Sequence, residues 1–160
     1  MKYQNVEAIV KNLMIRNKTI ATMESCTGGF IASEITNIEG ASNILKFSAV
    51  TYSNEYKIKM GVDKDIIDKY SVYSMETAKD MSQKISDFTN SDYGVGVTGK
   101  LGRIDENNPY GDNNQVFVSL YDREGNKFYT GSLIVNEPNR LECKKKVLQK
   151  FVELFNEMGE

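Results

Sequence analysis

The chain has 160 residues, 40% of them hydrophobic, with 20 Lys and Arg against 22 Asp and Glu for a net charge of −2. That length fits one domain of roughly 100–200 residues spanning 1–160, and that balance excludes a basic nucleic-acid footprint and a disordered polyelectrolyte. There is no histidine, which removes Ser-His and Cys-His catalysis and imidazole metal sites. Any catalysis must therefore use Ser, Thr, Tyr, Lys, Arg or carboxylates. No uncharged stretch is long enough to span a membrane and no signal peptide is evident, so the expectation is a cytoplasmic protein.

In chain order, Val6, Ile9, Val10, Leu13 and Met14 recur at helical spacing and predict an amphipathic helix. Residues 19–24 are short and rich in β-formers and read as a strand. Gly28 and Gly29 follow, and Phe30, Ile31, Ile35 and Ile38 then suggest a helix. Residues 45–52 read as a second strand, followed by short helices over 53–60 and 63–70. Ser74 is placed as an N-cap, leading a stripe of Met75, Ala78, Met81, Ile85 and Phe88. Residues 93–98 read as a buried strand ending at Gly99. The run from Lys100 to Asn114 is a Gly/Asn/Asp/Pro loop, long for a compact domain and suited to a lid. Residues 115–121 and 128–135 alternate on either side of Glu124-Gly125-Asn126, a hairpin signal. Pro138 marks the start of a last helix whose apolar face is Leu148, Phe151, Val152 and Phe155. The pattern predicts an α/β fold with a mixed sheet covered by helices on both faces.

Chemistry is expected where these strands end, because open α/β sheets bind ligands at their carboxyl edges. The first strand runs into Glu24-Ser25-Cys26-Thr27-Gly28-Gly29 and then a helix. A helix start offers free N–H groups and the positive end of the macrodipole, and glycines permit close approach. Ser25 is thus placed as a nucleophile beside amides able to hold an oxyanion; taken alone, the segment reads better as one in which Ser25 or Thr27 simply caps the helix. The second strand delivers Tyr52, with Lys57 just beyond, and the third delivers Thr98. A serine without histidine needs another base. A lysine whose pKa falls on desolvation, with a tyrosine to relay the proton, can serve, which predicts activity that rises toward neutral or alkaline pH.

Arg140 falls in the first turn of the last helix, mildly against the macrodipole, which is compatible with an arginine aimed at an anionic ligand, although position alone slightly favours a surface arginine. Lys144, Lys145 and Lys146 read as a solvated face. Cys26 and Cys143 are too far apart for a Cys-x-x-Cys site and read as packing residues. Asp105, Glu106 and Asp112 read as loop residues, and no metal site is expected.

The motifs Glu24-Ser25-Cys26-Thr27-Gly28-Gly29, Val50-Thr51-Tyr52-Ser53-Asn54-Glu55-Tyr56-Lys57, Gly61-Val62 and Val97-Thr98-Gly99 resemble, in order and spacing, the CinA C-terminal domain family. That domain also occurs alone as a nicotinamide-nucleotide amidohydrolase of the PncC type. The resemblance covers nearly the whole chain. It implies a three-layer α/β/α sandwich with a mixed, mostly parallel sheet, and the deamidation of nicotinamide mononucleotide to nicotinate mononucleotide and ammonia without metal or cofactor. The family's nucleophile matches Ser25, its activating pair Tyr52 and Lys57, and its substrate-binding positions Thr27, Gly28, Gly29, Thr98 and, more loosely, Arg140. The implied partner is a small-molecule nucleotide; no nucleic acid or membrane partner is expected, and a homo-oligomer is compatible with the sequence. The chain departs from the family pattern after Gly99, where Lys100 and Arg103 replace small and apolar residues. That departure sustains an alternative, a catalytically silent nucleotide-binding or partner-binding module.

Overall fold

The computed structural model describes residues 2–102 and 113–159. Most of the loop between Gly99 and the hairpin, with Arg103, Asp105, Glu106 and Asp112, lies outside them. In chain order the elements are α1 (Val6–Arg16), β1 (Ile20–Glu24), α2 (Phe30–Thr36), β2 (Leu45–Val50), α3 (Asn54–Lys59), α4 (Lys64–Tyr70), α5 (Met75–Thr89), β3 (Tyr93–Gly99), β4 (Gln115–Asp122), β5 (Lys127–Ile134) and α6 (Arg140–Met158), with a 3-10 turn at Ala41–Asn43 before β2. They form a mixed five-stranded sheet of order β2-β1-β3-β4-β5. β1 pairs in parallel with both β2 and β3, while β3, β4 and β5 run antiparallel.

Two apolar clusters flank the sheet and make three layers. One joins α1, α2 and α6 through Val10, Leu13, Ile31, Ile35, Phe151 and Phe155 to Ile20, Val95 and Val97. The other joins α4 and α5 through Ile67, Met81 and Ile85 to Ala21, Met23 and Ala49. The helix ends follow local chemistry. Asn5, Ser53, Asp63, Ser74 and Asn139 each accept a backbone N–H as N-caps, while Asn17 and Asn90 close α1 and α5 in the left-handed conformation.

Register is pinned at the start of the two central strands. Asp92 Oδ2 accepts from Thr19 N at 2.8 Å and from Thr19 Oγ1 at 3.1 Å. Ile20 then stands opposite Tyr93 and Glu24 opposite Val97, which sets Ser25 at the strand end. β3 also carries α5 directly on its backbone. A Cβ at Gly94 would collide with the Ser82 carbonyl, and one at Gly96 with the Ala78 carbonyl. Gly96→Ala is expected to cost about 2–3 kcal/mol, the scale of overpacking without a flexible neighbour to give way. The urea midpoint checks this, and an unchanged midpoint would contradict direct helix-on-strand contact.

Three sequence expectations are corrected. α2 ends at Thr36, two residues before Ile38, because the run Ile35-Thr36-Asn37 is poor in helix formers; Ile38 packs on the core from the turn that follows. Phe88 does not join the buried stripe of α5. It stays exposed, with its ring 5.6 Å from that of Phe47, because β2 is an edge strand with nothing beyond it. β2 stops at Val50 rather than Tyr52, since Ser53 caps α3 and draws the chain away from the sheet. Among the described residues no helix is long and apolar enough to cross a membrane.

Candidate active site

The parallel strands end side by side. Ser25 N donates to Val97 O at 3.0 Å, and Thr51 N donates to Glu24 O at 2.9 Å. β1 therefore leaves the sheet between the ends of β2 and β3. A tight turn follows, in which Gly28 N donates to Ser25 O at 2.9 Å. Gly28 and Gly29 both take positive φ, 62° and 94°, which a side chain would oppose. Neither the Thr27 nor the Gly29 N–H donates a hydrogen bond among the described residues.

Alternation along β1 sends neighbours to opposite faces. Ala21 and Met23 join the α5-side cluster, while Ile20 and Cys26 join the α6-side cluster. Ser25 accordingly shares the face of Ala21 and Met23. There Lys57 Nζ donates to Ser25 Oγ at 3.1 Å and to Thr51 O at 2.8 Å. Ser25 is 8% exposed and Lys57 only 2%. A six-residue helix, α3, carries Lys57 beneath the sheet edge, and Val62 N bonds back to the Lys57 carbonyl at 3.0 Å. A primary amine held against a serine hydroxyl, with its second bond on a backbone carbonyl, has the geometry of a nucleophile–base pair.

The start of α2 differs from the sequence expectation of an open anion site. Glu24, fully buried, already fills it. Its Oε1 accepts from Ile31 N at 2.9 Å and Thr27 Oγ1 at 2.7 Å; its Oε2 accepts from Ala32 N at 2.9 Å and Thr22 Oγ1 at 3.1 Å. The carboxylate satisfies amides that would otherwise be orphaned and neutralises that end of the helix dipole. The Thr27 hydroxyl is thus spent on Glu24, and only the turn amides remain to face a ligand.

Tyr52 is 65% exposed, and its Oη accepts from Arg140 Nη2 at 3.3 Å. The structure thus joins Ser25 to Lys57 and Tyr52 to Arg140. Thr98 is buried in line with Ser25, but its hydroxyl donates to Val72 O at 2.7 Å. One contributor, read from the sequence as part of a solvated face, is corrected. Lys144, one turn after Arg140 on α6, is half-buried, and its Nζ lies 3.6 Å from where a Gly28 Cβ would stand. Helical spacing from Arg140 could have singled it out from the solvated Lys145 and Lys146. Among the described residues no cluster of three or more carboxylates or thiols is placed to hold a metal ion.

Cys26 points away from Ser25 into the core, and burial pushes its thiol up to about 12, against the opposing pull of Lys57. In a Cys143→Ser protein at pH 8, Cys26 should react with a disulfide reagent about 10³-fold more slowly when native than in urea, in proportion to the thiolate fraction. Native labelling at the denatured rate would contradict the assignment. The linkage has a definite sign. Between the ordinary thiol value of 9.0 and about 12, the unfolded chain loses this proton while the native one keeps it, so the contribution to stability falls as pH rises through that window.

Comparison with known proteins agrees with the architecture. Among solved structures, a competence/damage inducible protein of Agrobacterium tumefaciens superposes with a TM-score of 0.85 at 24% identity, covering 97% of this chain and 93% of that one. A CinA-superfamily protein of Escherichia coli gives 0.83 at 20% identity, covering 96% and 87%. These likenesses concern the fold. A competence-damage inducible protein of Clostridium kluyveri is 42% identical over 120 residues, 74% of this chain and 29% of its own length. One of Clostridium beijerinckii is 46% identical over 100 residues, 61% and 24%. The chain thus spans about a quarter of the length of these curated relatives. The model of the CinA C-terminal domain matches residues 2–158, essentially the whole of the sheet and its helices, and the chain belongs to that family.

Proposed function

We propose that this domain is an amidohydrolase that deamidates nicotinamide mononucleotide, giving nicotinate mononucleotide and ammonia for pyridine-nucleotide recycling. The observation that carries the reading is the buried 3.1 Å contact between Lys57 Nζ and Ser25 Oγ in a chain without histidine. The neutral amine of Lys57 keeps its bond to Thr51 O and turns its lone pair to the Ser25 hydroxyl. Ser25 Oγ attacks the carboxamide carbon while its proton passes to Lys57. Lys57 returns that proton to the leaving nitrogen, and ammonia departs from an acyl-serine. Water then adds to the acyl carbon, again giving a proton to Lys57, which passes it to Ser25 Oγ as the acyl C–O bond breaks and the acid is released. The unspent Thr27 and Gly29 amides lie in the turn beside Ser25, which supports a role for them in holding the developing oxyanion. Lys144 supplies a cation at the same turn for the phosphate, and Arg140, one helical turn before it and held by the Tyr52 hydroxyl, supplies a second.

The test is ammonia release from nicotinamide mononucleotide by the purified protein, read by a coupled glutamate dehydrogenase assay. Turnover with stoichiometric acid product is the expected result. A folded protein that binds the nucleotide and releases no ammonia would replace this reading with the silent nucleotide-binding module.

A further inference from the structure

Two buried side-chain polar atoms lack a hydrogen-bond partner among the described residues, Thr51 Oγ1 and Lys100 Nζ. Both belong to the Ser25 side of the sheet. Glu24 stands opposite Val50 and Val97, so Thr51, Ser25 and Thr98 form the next row across the three parallel strands. Ala49 shares its cluster with Ala21 and Met23, and alternation puts Thr51 on that face beside Ser25. In β3, Gly94 and Gly96 face α5 and Thr98 bonds to Val72 just ahead of it. Lys100, two residues on, continues the same face and lays its ammonium 4.6 Å from the centre of the Tyr73 ring. At the strand rise it lies about 6–7 Å beyond Thr98 along the chain.

Lys100 is only 4% exposed. A buried ammonium is costly unless paired and hydrogen-bonded, and an aromatic face offsets only part of that cost. No acceptor among the described residues uses this charge, and a ligand carboxylate would supply its complement. Lys144 stands by Gly28, on the helix α6 whose apolar face shares a cluster with Cys26, opposite the Ser25 face. Lys100 is therefore a second cationic anchor, with Ser25 between the two.

The geometry points to Lys100 as a specificity-determining residue that receives a ligand carboxylate formed or held at Ser25, with Thr51 Oγ1 hydrogen-bonding the same end of the ligand. This rests on the amidohydrolase reading for the identity of the ligand. The amide has no anion at that end and the acid product does, so the site holds product more tightly than substrate.

The experiment is calorimetric titration of nicotinate mononucleotide and nicotinamide mononucleotide into the Ser25→Ala protein, which blocks turnover, with and without Lys100→Met. The acid should bind at least tenfold more tightly than the amide when Lys100 is present. Lys100→Met should reduce that preference to within twofold and leave amide affinity unchanged, and it should raise the melting temperature of the unliganded protein. Lys100→Gln gives the same loss of preference and serves if the Met variant fails to fold. Equal affinities when Lys100 is present, binding of neither nucleotide, or a preference that survives both substitutions would overturn the assignment. Arg140→Met is expected to weaken both nucleotides alike. An acid preference that depends on Lys100, in a wild-type protein that releases no ammonia, would remove the amidohydrolase reading and leave the anion subsite standing. Ammonia release with no Lys100-dependent preference would do the reverse.

Discussion

Ser25→Ala is expected to abolish ammonia release, by at least about 10³-fold in kcat, while the protein stays folded. The hydroxyl removed is the one that Lys57 Nζ contacts at 3.1 Å, and Lys57 keeps its 2.8 Å bond to Thr51 O. Alanine needs no more room than serine, and the backbone bonds of Ser25 to Val97 and Gly28 are untouched. The stability cost should therefore stay near about 1 kcal/mol, the net value of one hydrogen bond. Lys57→Met should lower kcat to a similar level, and the double variant should be little worse than either, because a nucleophile and its base fail as a unit. Coupled assays give the rates and urea midpoints report the fold. Residual turnover within tenfold of wild type in Ser25→Ala would remove Ser25 from the reaction.

The largest effect on stability is expected at Glu24. Its two carboxylate oxygens accept from Ile31 N, Ala32 N, Thr27 Oγ1 and Thr22 Oγ1, all within 3.1 Å and with no solvent reaching the side chain. Glu24→Ala strands buried donors at the start of α2 and opens a cavity, at about 1–3 kcal/mol for an unsatisfied group. A total of about 3–5 kcal/mol is expected, comparable to breaking a buried charged network. Glu24→Gln keeps the shape and one acceptor oxygen but turns an NH2 toward donors, so it should fall between the alanine variant and wild type. Urea denaturation measures both. A loss below about 1 kcal/mol for Glu24→Ala would show that water replaces the carboxylate.

The order of elements and the pairing of Ser25 with Lys57 were legible because they depend on short-range pattern. Apolar spacing marks the helices, and a strand followed by Ser, Thr and Gly marks a carboxyl edge. The role of Glu24 was not legible, since a carboxylate at a strand end carries no sign that it will fold back onto amides seven and eight residues ahead. Lys100 and Lys144 were hidden for a related reason. Lys100 stood out only as a departure from the family pattern and Lys144 read as solvated in a basic run; the stacking of β3 against the Tyr73 segment, and of α6 against Gly28, buries one and half-buries the other. Phe88 failed in the opposite direction: helical spacing placed it on the apolar face of α5, but the edge position of β2 leaves that end of the face open to solvent.

The position of β1 between β2 and β3 bears on how the chain assembles. The Ser25–Lys57 contact joins residues within the first 57, but one flank of β1 stays unpaired until Tyr93–Gly99 has been made and has found it. Closing that span costs loop entropy before any strand pairing rewards it. On the ribosome Ser25 and Lys57 would thus emerge well before the strand that fixes Ser25 in place, and a chain arrested ahead of β3 would carry both groups without the wall that holds them.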